Sequence, residues 1–277
     1  MYKPLYYDKL YDFLEQQIND NPIDLSTYDF VDPVFWAILK CLKNLNSNLK
    51  IIFPESFPAK EYVKYLSGKS YSSNTVPMRF VELRSDIDLF TNELVNLLRK
   101  DLEGYDSEDM EFFKYIISEL LNNAIDHGES SAIVFAQKFR NNDFEIGVID
   151  SGLGFYHTIK RAYNVESEGE AIRKSLEKGI TGSKTYLYGG ATRNVGHGLY
   201  VISEMIKDSK GELIIVSGST FYSYKDNKEI SLKNKWQGSI VLIRFNLQNF
   251  KKYVLDFGMS VYLGKTLNDD VVEEDIF

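Results

Sequence analysis

Ser118-Glu-Leu-Leu-Asn-Asn-Ala-Ile-Asp-His-Gly128 closes a segment, 107–127, that reads as one strong helix. Ser107 stands at its N-cap, with Asp109 and Glu111 in its first turn, where acidic groups meet the positive end of the helix dipole. Glu119 and Asn123 are four residues apart and share a face, as do Asn122 and Asp126. A carboxylate and a carboxamide so spaced offer hard oxygen atoms of the kind magnesium prefers, and can hold a water beside it. His127 reads either as a helix-terminal residue favoured by the dipole or as a contact to a phosphate.

Two further stretches follow in order. Val148-Ile-Asp-Ser-Gly-Leu-Gly154 is an apolar strand that ends in a carboxylate, Asp150, and a tight glycine turn. The carboxylate can accept a hydrogen bond from an exocyclic amine, and the glycines let a ligand approach the backbone closely. Gly189-Gly-Ala-Thr-Arg-Asn-Val-Gly-His-Gly-Leu199 leads directly into a helix expected over 199–207. Bare N–H groups at a helix start make a phosphate site. A strand-end glycine turn or a glycine loop is common on its own. The three stretches in this order, each on the expected kind of element, form a specific pattern.

That pattern resembles the GHKL, or Bergerat-fold, ATPase superfamily, which includes gyrase B, MutL, sensor histidine kinases and anti-sigma-factor serine kinases. ELLNNAIDHG is similar to its N box, DSGLG to its first glycine box and GHGL to its second. The resemblance covers roughly residues 76–247 and implies an α/β sandwich, a mixed sheet with helices on one face. A P-loop is not indicated, since no GxxxxGK[ST] occurs. The ligand implied is ATP with magnesium. By the same resemblance Asn123 holds the metal, Asp150 reads the adenine amine, and Gly152 and Gly154 shape that wall. Gly196, His197, Gly198 and Leu199 surround the phosphates, with Asp126 and His127 close by, and Ser239 brings a hydroxyl near the adenine. Glu119 falls where hydrolysing members keep the general base. Residues 155–195 correspond to the lid over the nucleotide, whose Lys178, Lys184 and Arg193 carry positive charge toward the γ-phosphate.

The flanks narrow the class. No histidine precedes His127, which excludes a complete autophosphorylating kinase, and no long second domain of the gyrase or MutL sort follows. Residues 1–75 read as a small α/β unit: an opening helix within 1–20, a β-α-β pattern over 23–53 with Pro33 starting its helix, and a short helix at 59–66. Ile23-Asp-Leu-Ser-Thr-Tyr-Asp-Phe-Val-Asp-Pro33 is similar to the strand-to-helix turn of STAS domains, with Asp32-Pro33 where those carry a target serine. An unrelated β-α-β element is the alternative. Residues 76–250 are then the GHKL unit and 251–277 an acidic tail.

Composition sets the remaining limits. The 277 residues are 44% hydrophobic and 26% charged, as in ordinary globular chains. The net charge of −8 and the lack of a dense basic cluster speak against nucleic-acid binding. No apolar run is long enough to span a bilayer. The N-terminus shows no signal-peptide pattern. The single cysteine, Cys41, excludes an internal disulfide and fits a reducing compartment, so a cytoplasmic protein is expected. A regulatory protein partner is expected and homodimerisation is left open. Either ATP is hydrolysed or transferred to a protein hydroxyl, or ATP orders the lid and so exposes or hides a partner-binding face.

Overall fold

In a computed structural model that describes residues 3–16, 18–70, 72–102, 110–180 and 197–267, the chain opens with strand β1 (Pro4–Leu5) and helix α1 (Leu10–Gln16). There follow β2 (Ile23–Asp24), β3 (Phe30–Val31), α2 (Pro33–Leu45), β4 (Ile51–Ile52) and α3 (Phe57–Leu66). Pro33 fits the first turn of α2, where its missing N–H costs nothing. The strands pair in parallel, β1 with β3 and β2 with β4, so that β2, α2 and β4 make a β-α-β unit. The buried strand expected over 49–53 is only two residues long and lies at an edge, with Ile52 42% exposed.

The larger part continues through β5 (Thr75–Val81), α4 (Arg84–Leu98) and α5 (Glu111–Asn122). Next come β6 (Ala132–Lys138), β7 (Asp143–Asp150), α6 (Gly154–Lys160), α7 (Glu168–Ser175) and α8 (Gly198–Asp208). The hairpin β8 (Glu212–Ser223) and β9 (Lys228–Asn246) leads to α9 (Leu247–Tyr253) and α10 (Met259–Leu267). Five strands form one sheet in the order β5-β6-β7-β9-β8, and every neighbouring pair is antiparallel. The sheet is therefore not the mixed one expected from the sequence.

Both faces of this sheet are covered, which corrects the expectation of helices on one face. Side chains alternate across a strand. Ala132, Val134 and Ala136 of β6 join Phe113, Ile117, Val201 and Met205 in one core. Ile133 and Phe135 face the other way, into a core shared with Phe13, Val34, Phe35 and Ile38 of the N-terminal segment. Burial on both sides is why β6 and β7 read as nearly continuous apolar runs although they are antiparallel.

Three more differences stand out. Strand β5 was not anticipated; Pro77 sits in it at a break in register, on an edge strand where proline is tolerated. The first part of the expected lid is folded, because α6 and α7 close a small core of Ile159, Val165 and Ala171. Part of the expected tail is helical too: α9 and α10 pack Phe250 and Tyr262 against Phe112. Ser107, Asp109 and the acidic residues 269–275 lie outside the described residues.

One ionic cluster joins the N-terminal segment to the sheet. Arg244 on β9 stands in register with Glu145 on β7, 3.2 Å from its carboxylate, 3.4 Å from that of Asp143 and 3.8 Å from that of Asp32. Its guanidinium lies 4.3 Å from the ring of Tyr7 and 4.5 Å from that of Phe139. Asp32 accepts the Tyr7 amide at 2.7 Å. Asp32 and Glu145 are fully buried, and Asp32 Oδ1 and Glu145 Oε1 have no hydrogen-bond partner among the described residues. Burial pushes the Asp32 carboxyl up to about 6 and Glu145 well above its ordinary range. A group whose pKa is higher folded than unfolded stabilises fully below the unfolded value and loses that contribution as pH rises through the folded one. Asp32→Asn should therefore raise stability relative to wild type at pH 7.5, by about 2–3 kcal/mol, with the gain shrinking to nothing near pH 4. Urea melts of both proteins across that range check this; an equal difference at both ends would refute it.

Candidate functional site

The N-box helix does not end as a plain α-helix. After Asn122 the chain widens into one π-helical turn, Asn123–His127, closed by the Gly128 amide donating to the Asn123 carbonyl at 3.0 Å. Such turns collect at functional sites because they rotate the following residues off the helix face. The turn delivers Gly128 to the glycine turn after β7, where its carbonyl accepts the Leu153 amide at 3.0 Å. A Cβ on Gly152 would overlap that same carbonyl, so the two segments can meet only with glycine there. Asn123 and Asp150 thus lie on adjoining elements stitched together at Gly128.

Asp150 is 2% exposed at the end of β7. Its Oδ1 accepts the Gly152 amide at 2.8 Å, and its Oδ2 accepts the Ser239 hydroxyl in a short hydrogen bond. Burial raises its pKa, and the bonds from Ser239 and Gly152 work against that rise. Around it β9 forms a clamp. The Trp236 indole donates to the Asp150 carbonyl at 3.0 Å, and the Gln237 amide to the Ser151 carbonyl at 3.0 Å. Gly238 has φ +89°, and a Cβ there would meet Gly152 N at 2.5 Å and Asp150 Oδ1 at 2.6 Å. Gly154, at φ +73°, opens α6, while the Ser217 hydroxyl takes the Phe155 amide at 3.0 Å and donates to the Gly238 carbonyl at 3.1 Å.

Glu119 faces α8. A Cβ on Gly198 would overlap its carboxylate, so the first residue of α8 and the N-box carboxylate share one small space. Burial raises the Glu119 pKa. No side chain caps the start of α8, where Gly198 and Leu199 begin the helix. His197 stands at the N-cap, and its Nδ1 accepts the Gly179 amide at 3.2 Å, which ties α8 to the end of the α7 loop. Carboxylate and helix start therefore meet, while the far end of the same N-box helix meets the glycine turn at Gly128.

Some expected residues are not drawn in. Asp126 is exposed and pairs with Arg84 at 3.0 Å. Lys184, Arg193 and Gly196 lie outside the described residues, as does the side chain of His127. The sequence reading missed Trp236, Gln237, Gly238 and Ser217. Its available signal was the alternation Ile230, Leu232, Asn234, Trp236 with charged or polar residues between them, which marks one long strand running into Ser239. Among the described residues no cluster of three or more His, Cys, Asp or Glu could hold a metal, and no helix is long and apolar enough to cross a membrane.

No family model, curated protein or solved structure matches this chain.

Gly238 and Gly198 predict unequal losses. Gly238→Ala forces a left-handed backbone and a clash with main chain, and should cost about 3 kcal/mol. Gly198→Ala meets only the end of a flexible side chain and should cost less than about 1 kcal/mol while displacing Glu119. Thermal melts of both variants check the order; equal losses would contradict it.

Proposed function

We propose that this protein binds ATP with magnesium through a GHKL-type site and hydrolyses it or passes its γ-phosphoryl group to a protein hydroxyl, in the cytoplasm and with a regulatory protein partner. The observation that carries the reading is Asp150. It is a buried carboxylate, locked in place by Ser239 and the Gly152 amide, at the end of a strand beside a glycine turn. That arrangement suits an exocyclic amine, since each carboxylate oxygen, already fixed by one donor, can accept a second hydrogen bond. The uncapped start of α8 suits phosphate oxygens, since its first amides have no partner within the helix. The parallel β2-α2-β4 unit supports a STAS-like reading of the N-terminal segment.

The residues fit the metal. Magnesium keeps several waters and nucleotide oxygens, so a single carboxamide such as Asn123, one turn beyond Glu119, is enough from the protein. Bound there, the ion would neutralise charge on the triphosphate. Glu119 is the base. As a water oxygen, or a serine or threonine hydroxyl, bonds to the γ-phosphorus, Glu119 takes the proton from that oxygen. The bond to the β–γ bridging oxygen breaks, and ADP leaves with that electron pair. Packing against Gly198 holds the carboxylate beside the helix start where the phosphates lie.

Glu119→Ala should lower steady phosphate release by a factor on the order of 10² or more while nucleotide binding survives. Because burial raises the Glu119 pKa, wild-type turnover should fall on acidification at a higher pH than an ordinary glutamate gives. Phosphate release across pH 5–8 measures both, and turnover undiminished in the variant would remove the base from the account.

A further inference from the structure

A seven-residue run of β9, 233–239, is bonded at one end to the N-terminal segment and at the other to Asp150. The Lys233 amide donates to the Glu15 carboxylate. Asn234 Nδ2 donates to the carbonyls of Leu14 at 3.2 Å and Glu15 at 2.9 Å, in the last turn of α1, and its Oδ1 accepts Asn19 Nδ2 at 2.8 Å. Two residues on, the Trp236 indole donates to the Asp150 carbonyl, and its ring, 4% exposed, lies in the core shared with Phe13, Leu14 and Phe35. The pairing of β9 with β8 is irregular here: Gly218 opposes Trp236 next to a shift in register. A bulge of this kind re-aims the side chains around it.

Resting on the nucleotide reading above, we propose that Trp236 is a positioning residue for base recognition and that α1, through Asn234, sets how well the site selects adenine. The argument is geometric. A carboxylate distinguishes an amine from a carbonyl oxygen only when the donor nitrogen comes within about 2.7–3.2 Å of it. The position of Asp150's carboxylate follows from its main chain. That main chain is held at its carbonyl by the Trp236 indole, and the carboxylate itself by the hydroxyl of Ser239, three residues along the same run. The run is anchored in turn by the carbonyls that end α1. By linkage, any differential effect of α1 docking on the adenine site is returned by the nucleotide to α1.

The test compares wild type, Trp236→Phe, Asn234→Ala and Trp36→Phe as full chains. Trp36 is a similarly buried tryptophan of the same core whose indole donates to the Val31 carbonyl at 3.1 Å and not to Asp150, and it serves as the control for general loosening. Calorimetry with magnesium and non-hydrolysable ATP and GTP analogues gives the preference for adenine over guanine. Trp236→Phe and Asn234→Ala should each lower that preference about fivefold, the worth of one hydrogen bond, with GTP-analogue affinity unchanged. Trp36→Phe should leave it intact. In wild type the ATP analogue should also slow amide exchange in the last turn of α1, and in Trp236→Phe it should not. Unchanged preference in both site variants, or an equal fall in Trp36→Phe, overturns the linkage while leaving the nucleotide reading standing. A wild type that takes up neither analogue removes the nucleotide reading, and the linkage with it.

Discussion

A carboxylate buried in a protein wall has to be met by donors, and the architecture around residues 128–154 and 217–239 follows from that demand on Asp150. Desolvation alone would drive the group toward its neutral form. The Gly152 amide and the Ser239 hydroxyl oppose this by bonding its oxygens. For those donors to reach it, the turn after β7 must be tight and β9 must pass within contact distance. Gly152 and Gly238 are glycine because a Cβ at either would overlap backbone, of Gly128 in one case and of Asp150 and Gly152 in the other. The π-helical turn completes the wall by bringing the end of the N-box helix against the same loop.

The N-terminal segment belongs to this arrangement physically. Its helices bury the face of the sheet that α4, α5 and α8 leave uncovered, so the core on that face is shared between the two parts, while the core on the other face is built from residues 76–262 alone. The Arg244 cluster adds register to that packing. Buried ion pairs return little net stability, because desolvation offsets their attraction, but they punish misalignment. Arg244 can serve Glu145, Asp143 and Asp32 together only when β3 ends over the start of β7 and the end of β9. Desolvation is what lifts both carboxyls; the charge of Asp32 adds to the rise at Glu145, and Arg244 works against it at each.

The residues proposed for the site stood out in the sequence more clearly than the frame did. Glu119, Asn123, Asp150 and the glycine turn were legible because their chemistry sits at fixed spacings on a helix and at a strand end. Strands β6 and β7 were legible as apolar runs. Strand β5 was hidden by Pro77, which breaks the pattern, and the outer half of the β8–β9 hairpin by Lys228, Lys233 and Lys235, which suggest a loop until the alternation with Ile230, Leu232 and Trp236 is counted. Asp32 could be read as a helix start, yet its partner lies 212 positions away at Arg244 and only the pairing of β7 with β9 brings the charges together. For Asp126, four-residue spacing fixes a face shared with Asn122 but not what that face meets, and its carboxylate pairs with Arg84. The antiparallel pairing of the whole sheet was invisible, since residue pattern in doubly buried strands carries no direction.

The most direct test of the central claim is a crystal structure of the full chain grown with magnesium and a non-hydrolysable ATP analogue. The account predicts the adenine amine within hydrogen-bond distance of the Asp150 carboxylate, the phosphates at the start of α8 and the metal on Asn123. A nucleotide whose base lies away from Asp150, or none bound at saturating concentration, would contradict it.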